Sequence, residues 1–161
     1  MGSGKTSIGR LVASRLGLEL VDGDVELEAR TGGRTAADVA KADGIDALHA
    51  MEIAIALDAL ASAVPAVIGP AASVIESAEV REHLTAHIVV WFVAPAEYLA
   101  ERAVKKDHRP LLDDGDPVEL FRRQLAVRDP LARTVATLVI DVTSMSKRAA
   151  ARKIVRAARM A

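Results

Sequence analysis

The stretch Gly2-Ser3-Gly4-Lys5-Thr6 (residues 2–6), continued by SIGRLVASRLG (7–17), decides the fold. It matches the second half of the phosphate-binding motif G-x-x-x-x-G-K-[ST], in which a glycine-rich turn opens a helix. Glycines are required in such a turn because a Cβ would keep a phosphate away from the backbone N–H groups. The first glycine of the full motif would lie before Met1. The stretch predicts a nucleotide-binding turn followed by a helix that Gly17 ends.

The residue types in this turn indicate how it would hold a nucleotide. Lys5 would reach the β- and γ-phosphates, and the Thr6 hydroxyl would ligate Mg²⁺. The residues predicted to contact the phosphates share a place at the helix N-terminus: Gly2, Ser3, Gly4, Lys5, Thr6 and Ser7. The alternative is a flexible glycine-serine start before an ordinary helix. The position of the Lys-Thr pair at the helix start favours the nucleotide interpretation.

Composition limits the class of protein. A chain of 161 residues suits one domain with a full core. Its net charge of −1 argues against a nucleic-acid-binding surface. The absence of cysteine excludes disulfides and thiolate metal sites and is typical of a cytoplasmic protein. The longest apolar run, residues 56–69, is broken by Asp58 and Pro65, so no membrane span is expected. We expect a cytoplasmic monomer.

Hydrophobic patterning predicts helices that alternate with strands. Helices are predicted at 5–16, 25–30, 35–42, 44–61, 77–84, 96–104, 118–127 and 146–159, and strands at 18–22, 65–69, 87–94 and 136–142. Thr35 and Asp43 are the expected helix caps. The charged segment KKDHRPLLDDGD, residues 105–116, is predicted to be a mobile loop. The order indicates a single α/β domain over residues 1–161 with a parallel sheet.

Two aspartates follow the first predicted strand. Asp22 and Asp24 flank Gly23 at its carboxyl end, the edge at which open α/β sheets bind ligands. Carboxylates there can hold Mg²⁺ through water or accept the proton of an attacking hydroxyl. The alternative is a simple turn in which Asp24 caps the next helix.

Several segments together resemble the shikimate kinase family. They are GSGKTSIGRLVASRLG (2–17), LVDGDVELEARTG (20–32), DGIDALHAME (43–52), RPLL (109–112) and RDPLA (128–132). They occur in the family's order and spacing over nearly the whole chain. The resemblance implies a P-loop, nucleoside-monophosphate-kinase-like α/β fold. It also implies ATP-dependent phosphorylation, with Mg²⁺, of a hydroxyl on a small cyclic hydroxy acid.

The resemblance also bears on the start of the chain. The family's loop often reads G-x-M-G-x-G-K-[ST], so Met1 matches its internal methionine. The family's first strand and the first loop glycine would then precede Met1. That strand is central in this fold, so without it the neighbouring strands would lack partners. We therefore expect the chain as written to be poorly stable alone.

Roles for the nucleotide-binding and catalytic residues follow from the resemblance. Lys5 and Thr6 would contact phosphate and Mg²⁺, with Asp22 supporting the water shell of the metal. Asp24 would bind the acceptor hydroxyl and act as its base. Arg109 would be the lid arginine that reaches the transferring phosphate. A plain solvated charge run is the alternative for this loop.

The resemblance assigns further residues to the adenine and to the acceptor. Arg102, at the start of the lid, would lie against the adenine. Arg128 would grip the substrate carboxylate, and Glu52 would orient the other gripping arginine. The alternative for Arg128 is a helix-terminal arginine without a binding role.

Two departures from the family fall in the acceptor half. The family's second gripping arginine corresponds to His49, and its three glycines after the third strand correspond to Pro70-Ala71-Ala72. An arginine–carboxylate pair contributes about 1.5–3 kcal/mol, which a neutral histidine cannot reproduce. Proline adds a ring and removes an N–H. His49 is assigned to the acceptor site by its position, although packing or solvent contact is its commoner role.

Three functions remain open from the sequence. The first is a shikimate kinase-like phosphotransferase, and the second, suggested by VDGD, is a gluconate-type kinase. RTGG and RPLL favour the shikimate plan over the gluconate one. The third is a nucleotide-binding protein without kinase activity. His49 and Pro70-Ala71-Ala72 favour it, whereas the retained Asp24, Arg109 and Arg128 oppose it.

Overall fold

The computed structural model describes residues 2–104 and 115–160. The segment 105–114 lies outside the described residues. It holds most of the predicted lid, including Arg109, so that assignment stays a prediction.

The described chain contains eight α-helices and four short strands. In chain order they are α1 (Lys5–Leu16), β1 (Glu19–Asp22), α2 (Gly23–Arg30), α3 (Ala36–Asp43), α4 (Ile45–Ala61), β2 (Ala66–Gly69), α5 (Ala78–Leu84), β3 (Val90–Val93), α6 (Ala96–Val104), α7 (Pro117–Val135), β4 (Leu138–Asp141) and α8 (Lys147–Ala158). A 3-10 helix, Ala72–Glu76, lies between β2 and α5. The predicted α/β class is confirmed.

Helix α1 has the predicted bounds because its end is encoded locally. Gly17 takes a left-handed conformation (φ +67°) and its N–H donates to the Ala13 carbonyl. Only a residue without a Cβ adopts that conformation without strain. Ile8, Val12 and Ala13 are buried, and α1 packs against α8 in the main core cluster.

The helix caps agree with the sequence at one position and differ at another. Thr35 caps α3 in a capping box with Asp38. The prediction that Asp43 caps α4 is wrong, because Gly44 is the N-cap residue there. Asp43 ends α3 and instead pairs with Arg34 at 2.8 Å.

Helix α7 runs further than the pattern predicted. It continues from Val127 to Val135 and includes Pro130 in its interior. A proline usually ends a helix because it removes one hydrogen bond. Here the apolar side chain of Ala132 is fully buried beyond it, and packing continues the helix. Arg128 therefore lies within the helix rather than at its end.

The strands form two separate parallel pairs. Strand β1 pairs with β2, with Asp22 opposite Gly69, and β3 pairs with β4, with Val93 opposite Asp141. Within the described residues no ladder joins β2 to β3. Parallel strands end at the same edge, so the carboxyl ends of β1 and β2 lie side by side.

A largely apolar cavity of about 650 Å³ separates the two pairs. It is lined by both β2 and β3 and by Ile8 and Val12 of α1. Lys5, Pro70–Ala72 and Arg128 line the same cavity. Among the helices of the described residues, none is both long and apolar enough to cross a membrane.

Candidate functional site

The turn before α1 has the backbone shape that a phosphate-binding loop needs. Gly2 and Gly4 both have positive φ, +76° and +85°. A Cβ on Gly2 would lie 2.8 Å from the Leu99 carbonyl oxygen, so any other residue would force the turn or α6 to move. Gly4 is the N-cap residue of α1, whose first N–H groups face the turn. The positive end of the helix dipole and these donors favour an anion at this place.

The Lys5 side chain crosses to the end of strand β2. Its Nζ donates to the carbonyl oxygens of Gly69 at 2.8 Å and Pro70 at 2.5 Å. These contacts hold the ammonium between the turn and the Pro70 segment. A phosphate bound on the turn would therefore have the Lys5 ammonium on the side that faces the end of β2.

Thr6 and Asp22 meet directly beneath the turn. The Thr6 hydroxyl donates to Asp22 Oδ2 at 2.7 Å, and Asp22 Oδ1 accepts from the Asp24 N–H at 3.1 Å. Asp22 is only 7% exposed. It also caps α2, so the alternative in which Asp24 is the cap is wrong.

This pair has the chemistry of a magnesium site built with a nucleotide. A hydroxyl and a carboxylate oxygen are ligands that hard divalent cations prefer, and Mg²⁺ usually takes few protein ligands. The described residues contain no group of three or more His, Asp or Glu side chains that would hold a metal without such help. The donors therefore fit an ion that arrives with phosphate oxygens.

Asp24 lies one residue inside α2, at the carboxyl edge of the β1–β2 pair. Gly23, just before it, packs against the Pro70 segment: a Cβ on Gly23 would be 3.3 Å from Pro70 Cα. The start of α2 and the Pro70–Ala72 segment therefore lie side by side in close contact. The second departure from the family motif, His49, is half-buried on α4.

Arg102 joins α6 to the turn. Its Nε donates to the Gly2 carbonyl at 2.9 Å, and its guanidinium lies 5.3 Å from the centre of the Tyr98 ring. The expected contact with adenine stays a prediction. The arginine is held beside the phosphate turn, at the end of the helix that leads into the predicted lid.

Arg128 is nearly enclosed in the wall of the large cavity. Its side chain is 13% exposed, and its Nε donates to Glu76 Oε1 at 2.6 Å. A second nitrogen, Nη1, donates to the Gln124 amide oxygen at 3.1 Å. The guanidinium is thus fixed between two acceptors, one of which is a carboxylate.

Glu52 has a partner other than an arginine. Its carboxylate accepts a short hydrogen bond from the Ser73 hydroxyl. That bond links α4 to the 3-10 helix that follows the Pro70 segment. The role of Glu52 in orienting a gripping arginine has no support from this contact.

Sequence reasoning missed two residues of this region, Ser73 and Glu76. Both follow Pro70-Ala71-Ala72 on the 3-10 helix, which the pattern did not predict. Glu76 lies 52 residues before Arg128, and nothing local links the two. The only signal in the sequence was the Glu76 carboxylate, which follows β2 and the altered Pro70-Ala71-Ala72 motif.

Comparison with known proteins supports the resemblance. The family model described as shikimate kinase matches residues 1–159. A shikimate kinase of Methylococcus capsulatus is 35% identical over 158 residues, which cover 98% of this chain and 87% of that protein. One from Mycobacterium tuberculosis is 37% identical over 153 residues, covering 95% and 86%.

Solved structures agree with this sequence similarity. The shikimate kinase of Acinetobacter baumannii, solved in complex with shikimate, superposes with a TM-score of 0.86 at 33% identity. The match covers 99% of this chain and 89% of that one. The shikimate kinase of Bacteroides thetaiotaomicron, at 19% identity, shares the fold with a TM-score of 0.81. The two parallel pairs, the glycine turn and the whole-chain match lead to one conclusion: the chain belongs to the shikimate kinase family.

Proposed function

We propose that this chain is an ATP-dependent kinase that transfers the γ-phosphoryl group of ATP to a hydroxyl of shikimate. The observation that carries the proposal is the Thr6–Asp22 hydrogen bond beneath the glycine turn. It brings a motif hydroxyl and a strand-end carboxylate to one point, 16 residues apart in sequence. Family membership supports shikimate as the acceptor.

In this proposal each residue has a distinct task. The Gly2–Gly4 turn and Lys5 hold the phosphates, while Thr6 and Asp22 would hold Mg²⁺, directly or through water. Bound Mg²⁺ would neutralise charge on the β- and γ-phosphates. Asp24 would take the proton of the acceptor hydroxyl while the hydroxyl oxygen attacks the γ-phosphorus and ADP leaves. Arg109 would stabilise the charge that develops on the transferring group.

The remaining contacts belong to the acceptor and the adenine. Arg128 would bind the acceptor carboxylate, with His49 at the edge of the same region, and Arg102 would lie against the adenine. The protein would act as a cytoplasmic monomer with one P-loop kinase domain over residues 1–161 and a lid at about residues 105–116.

A coupled assay of ADP release with shikimate tests the proposal. We expect turnover that requires shikimate, ATP and Mg²⁺, and that falls about a hundredfold or more in Asp24→Asn, because this change removes the base. ATP affinity should stay within about twofold of wild type, since Asp24 is not among the phosphate ligands.

A nucleotide-binding protein without kinase activity is the second candidate. The Pro70–Ala72 segment and His49 favour it, because both alter the acceptor half. Binding of ATP without turnover of shikimate would select this candidate over the kinase.

A further inference from the structure

We propose that Glu76 competes with the acceptor carboxylate for Arg128 and thereby sets the affinity of the enzyme for its acidic substrate. The inference rests on the proposed function, in which Arg128 binds that carboxylate. It names a specificity-determining residue that lies outside the motifs of the sequence.

The geometry of the ion pair supports the competition. Glu76 Oε1 accepts from Arg128 Nε at 2.6 Å, and Gln124 accepts from Nη1. A carboxylate is best held by two parallel hydrogen bonds from one edge of a guanidinium. Glu76 holds the Nε edge and Gln124 holds Nη1, so an incoming carboxylate must displace one of them, and Glu76 is the one that carries a competing charge.

The burial of the two partners is unequal, and this makes displacement feasible. The Arg128 side chain is 13% exposed and the Glu76 side chain 41% exposed. Arg81 donates to the backbone carbonyls of Ile75 and Glu76 at 2.7 and 2.9 Å, so the backbone of Glu76 is held. The carboxylate can therefore turn to solvent while the arginine and the main chain stay in place.

Charge in this region increases the effect. The position that the family resemblance assigns to a second gripping arginine is His49, so Arg128 is the one of the two gripping arginines that this sequence retains. A Glu76 charge beside it neutralises much of the attraction for a second carboxylate. Specificity for an acidic acceptor then depends on the difference between two competing anions.

The test compares Glu76→Gln with wild type at low ionic strength, where charge effects are largest. We expect the KM for shikimate to fall about three- to tenfold, because an amide still bonds Arg128 but carries no charge. The value of kcat and the KM for ATP should stay within about twofold, a separation that a general structural defect would not give. Glu76→Asp should keep a KM close to that of wild type.

Two controls separate charge competition from other causes. Glu82→Gln makes the same substitution on the exposed face of α5 and should leave the KM unchanged. The methyl ester of shikimate has no carboxylate charge, so its affinity should be the same for wild type and Glu76→Gln. Equal gains for the ester and the acid would overturn the inference.

The affinity of wild type, Glu76→Gln and Glu82→Gln for shikimate can also be measured by calorimetry, which does not depend on turnover. Tighter binding by Glu76→Gln than by wild type and Glu82→Gln supports the inference even if no protein turns shikimate over, a result that would contradict the proposed function alone. Equal binding by all three proteins overturns the inference, whether or not the enzyme is active.

Discussion

Single hydrogen bonds define the nucleotide half of the site at the residue scale. Thr6 lies in the first turn of α1 and Asp22 is the last residue of β1. The Thr6 hydroxyl donates a hydrogen bond of 2.7 Å to Asp22 Oδ2. Lys5 is held in the same way by the carbonyls of Gly69 and Pro70. The site is therefore assembled from the start of one helix and the carboxyl ends of two paired strands.

Thr6→Ala should remove the proposed magnesium ligand. We expect kcat/KM for ATP to fall about a hundredfold or more, because the charge of the phosphates would be less well neutralised. Thr6→Ser keeps the hydroxyl and should stay within about fivefold of wild type. The measurement is ADP release over a range of MgCl₂ concentrations. Equal rates for Thr6→Ala and Thr6→Ser would contradict the assignment.

Gly2→Ala should distort the turn itself. The added Cβ would meet the Leu99 carbonyl at 2.8 Å in a backbone with φ +76°, so the turn or α6 must move. We expect ATP affinity, measured by calorimetry, to fall about tenfold or more. Gly32→Ala is the matched control, since Gly32 has φ +70° but nothing within 4 Å of its added Cβ. It should cost only the strain, about 1 kcal/mol of folding stability, and leave ATP affinity unchanged.

The residue-scale contacts differ in how far the sequence predicts them. The motif around Lys5 and Thr6 places both at a helix start, because glycine geometry and helix polarity are local properties. The pairs Arg128–Glu76 and Glu52–Ser73 depend on how α7, α4 and the 3-10 helix pack together. No local pattern carries that information, so both pairs had to come from the structure.

Helix ends illustrate local encoding at the element scale. Gly17 ends α1 and Thr35 begins α3, and both positions can be read directly from residue chemistry. The length of α7 cannot, since Pro130 normally predicts an end. Burial of Ala132 beyond the proline continues the helix and places Arg128 inside it. Tertiary packing overrides local propensity there.

Thr35→Ala should weaken α3 through loss of its capping box. We expect about 1 kcal/mol less unfolding free energy at pH 7, measured by urea denaturation, while Thr35→Ser should stay near wild type. Hydrogen bonds from the Thr35 hydroxyl and N–H hold the pKa of Asp38 below its ordinary value of 3.8. The stabilisation of the folded state by this carboxylate is therefore fully present above pH 3.8. It is lost as the pH falls through the lowered pKa that Asp38 has in the folded protein. The difference between Thr35→Ala and wild type should therefore shrink on acidification and persist from pH 5 to 7.

At the scale of the whole molecule, the two strand pairs share one cavity instead of one sheet. The α/β class and the parallel direction follow from alternating strand and helix patterns. The predicted strands were longer, at 87–94 for example, than the four residues of β3. A strand is extended by pairing, and β3 is paired along one edge only within the described residues. The observed strand is therefore shorter than the apolar stretch that predicted it.

Among residues 2–104 and 115–160, β2 and β3 each lack a strand partner on one edge, which predicts low stability for the 161-residue chain. Peptide groups and apolar side chains face the cavity of about 650 Å³, and both are costly to leave without partners. In calorimetry we expect a broad transition below about 45 °C, the lower end of the usual mesophilic range. The dye ANS should bind strongly before unfolding, as it does where apolar surface is accessible.

The same substitution at two sites tests whether that dye binds between the strand pairs. Val67→Thr changes a cavity-lining residue of β2, and Val64→Thr changes a residue that is 70% exposed and outside the cavity lining. We expect ANS fluorescence to fall in Val67→Thr and to stay unchanged in Val64→Thr, because only the first change makes the cavity more polar. A cooperative transition above 55 °C, without dye binding, would instead mean that the two pairs close against each other in solution.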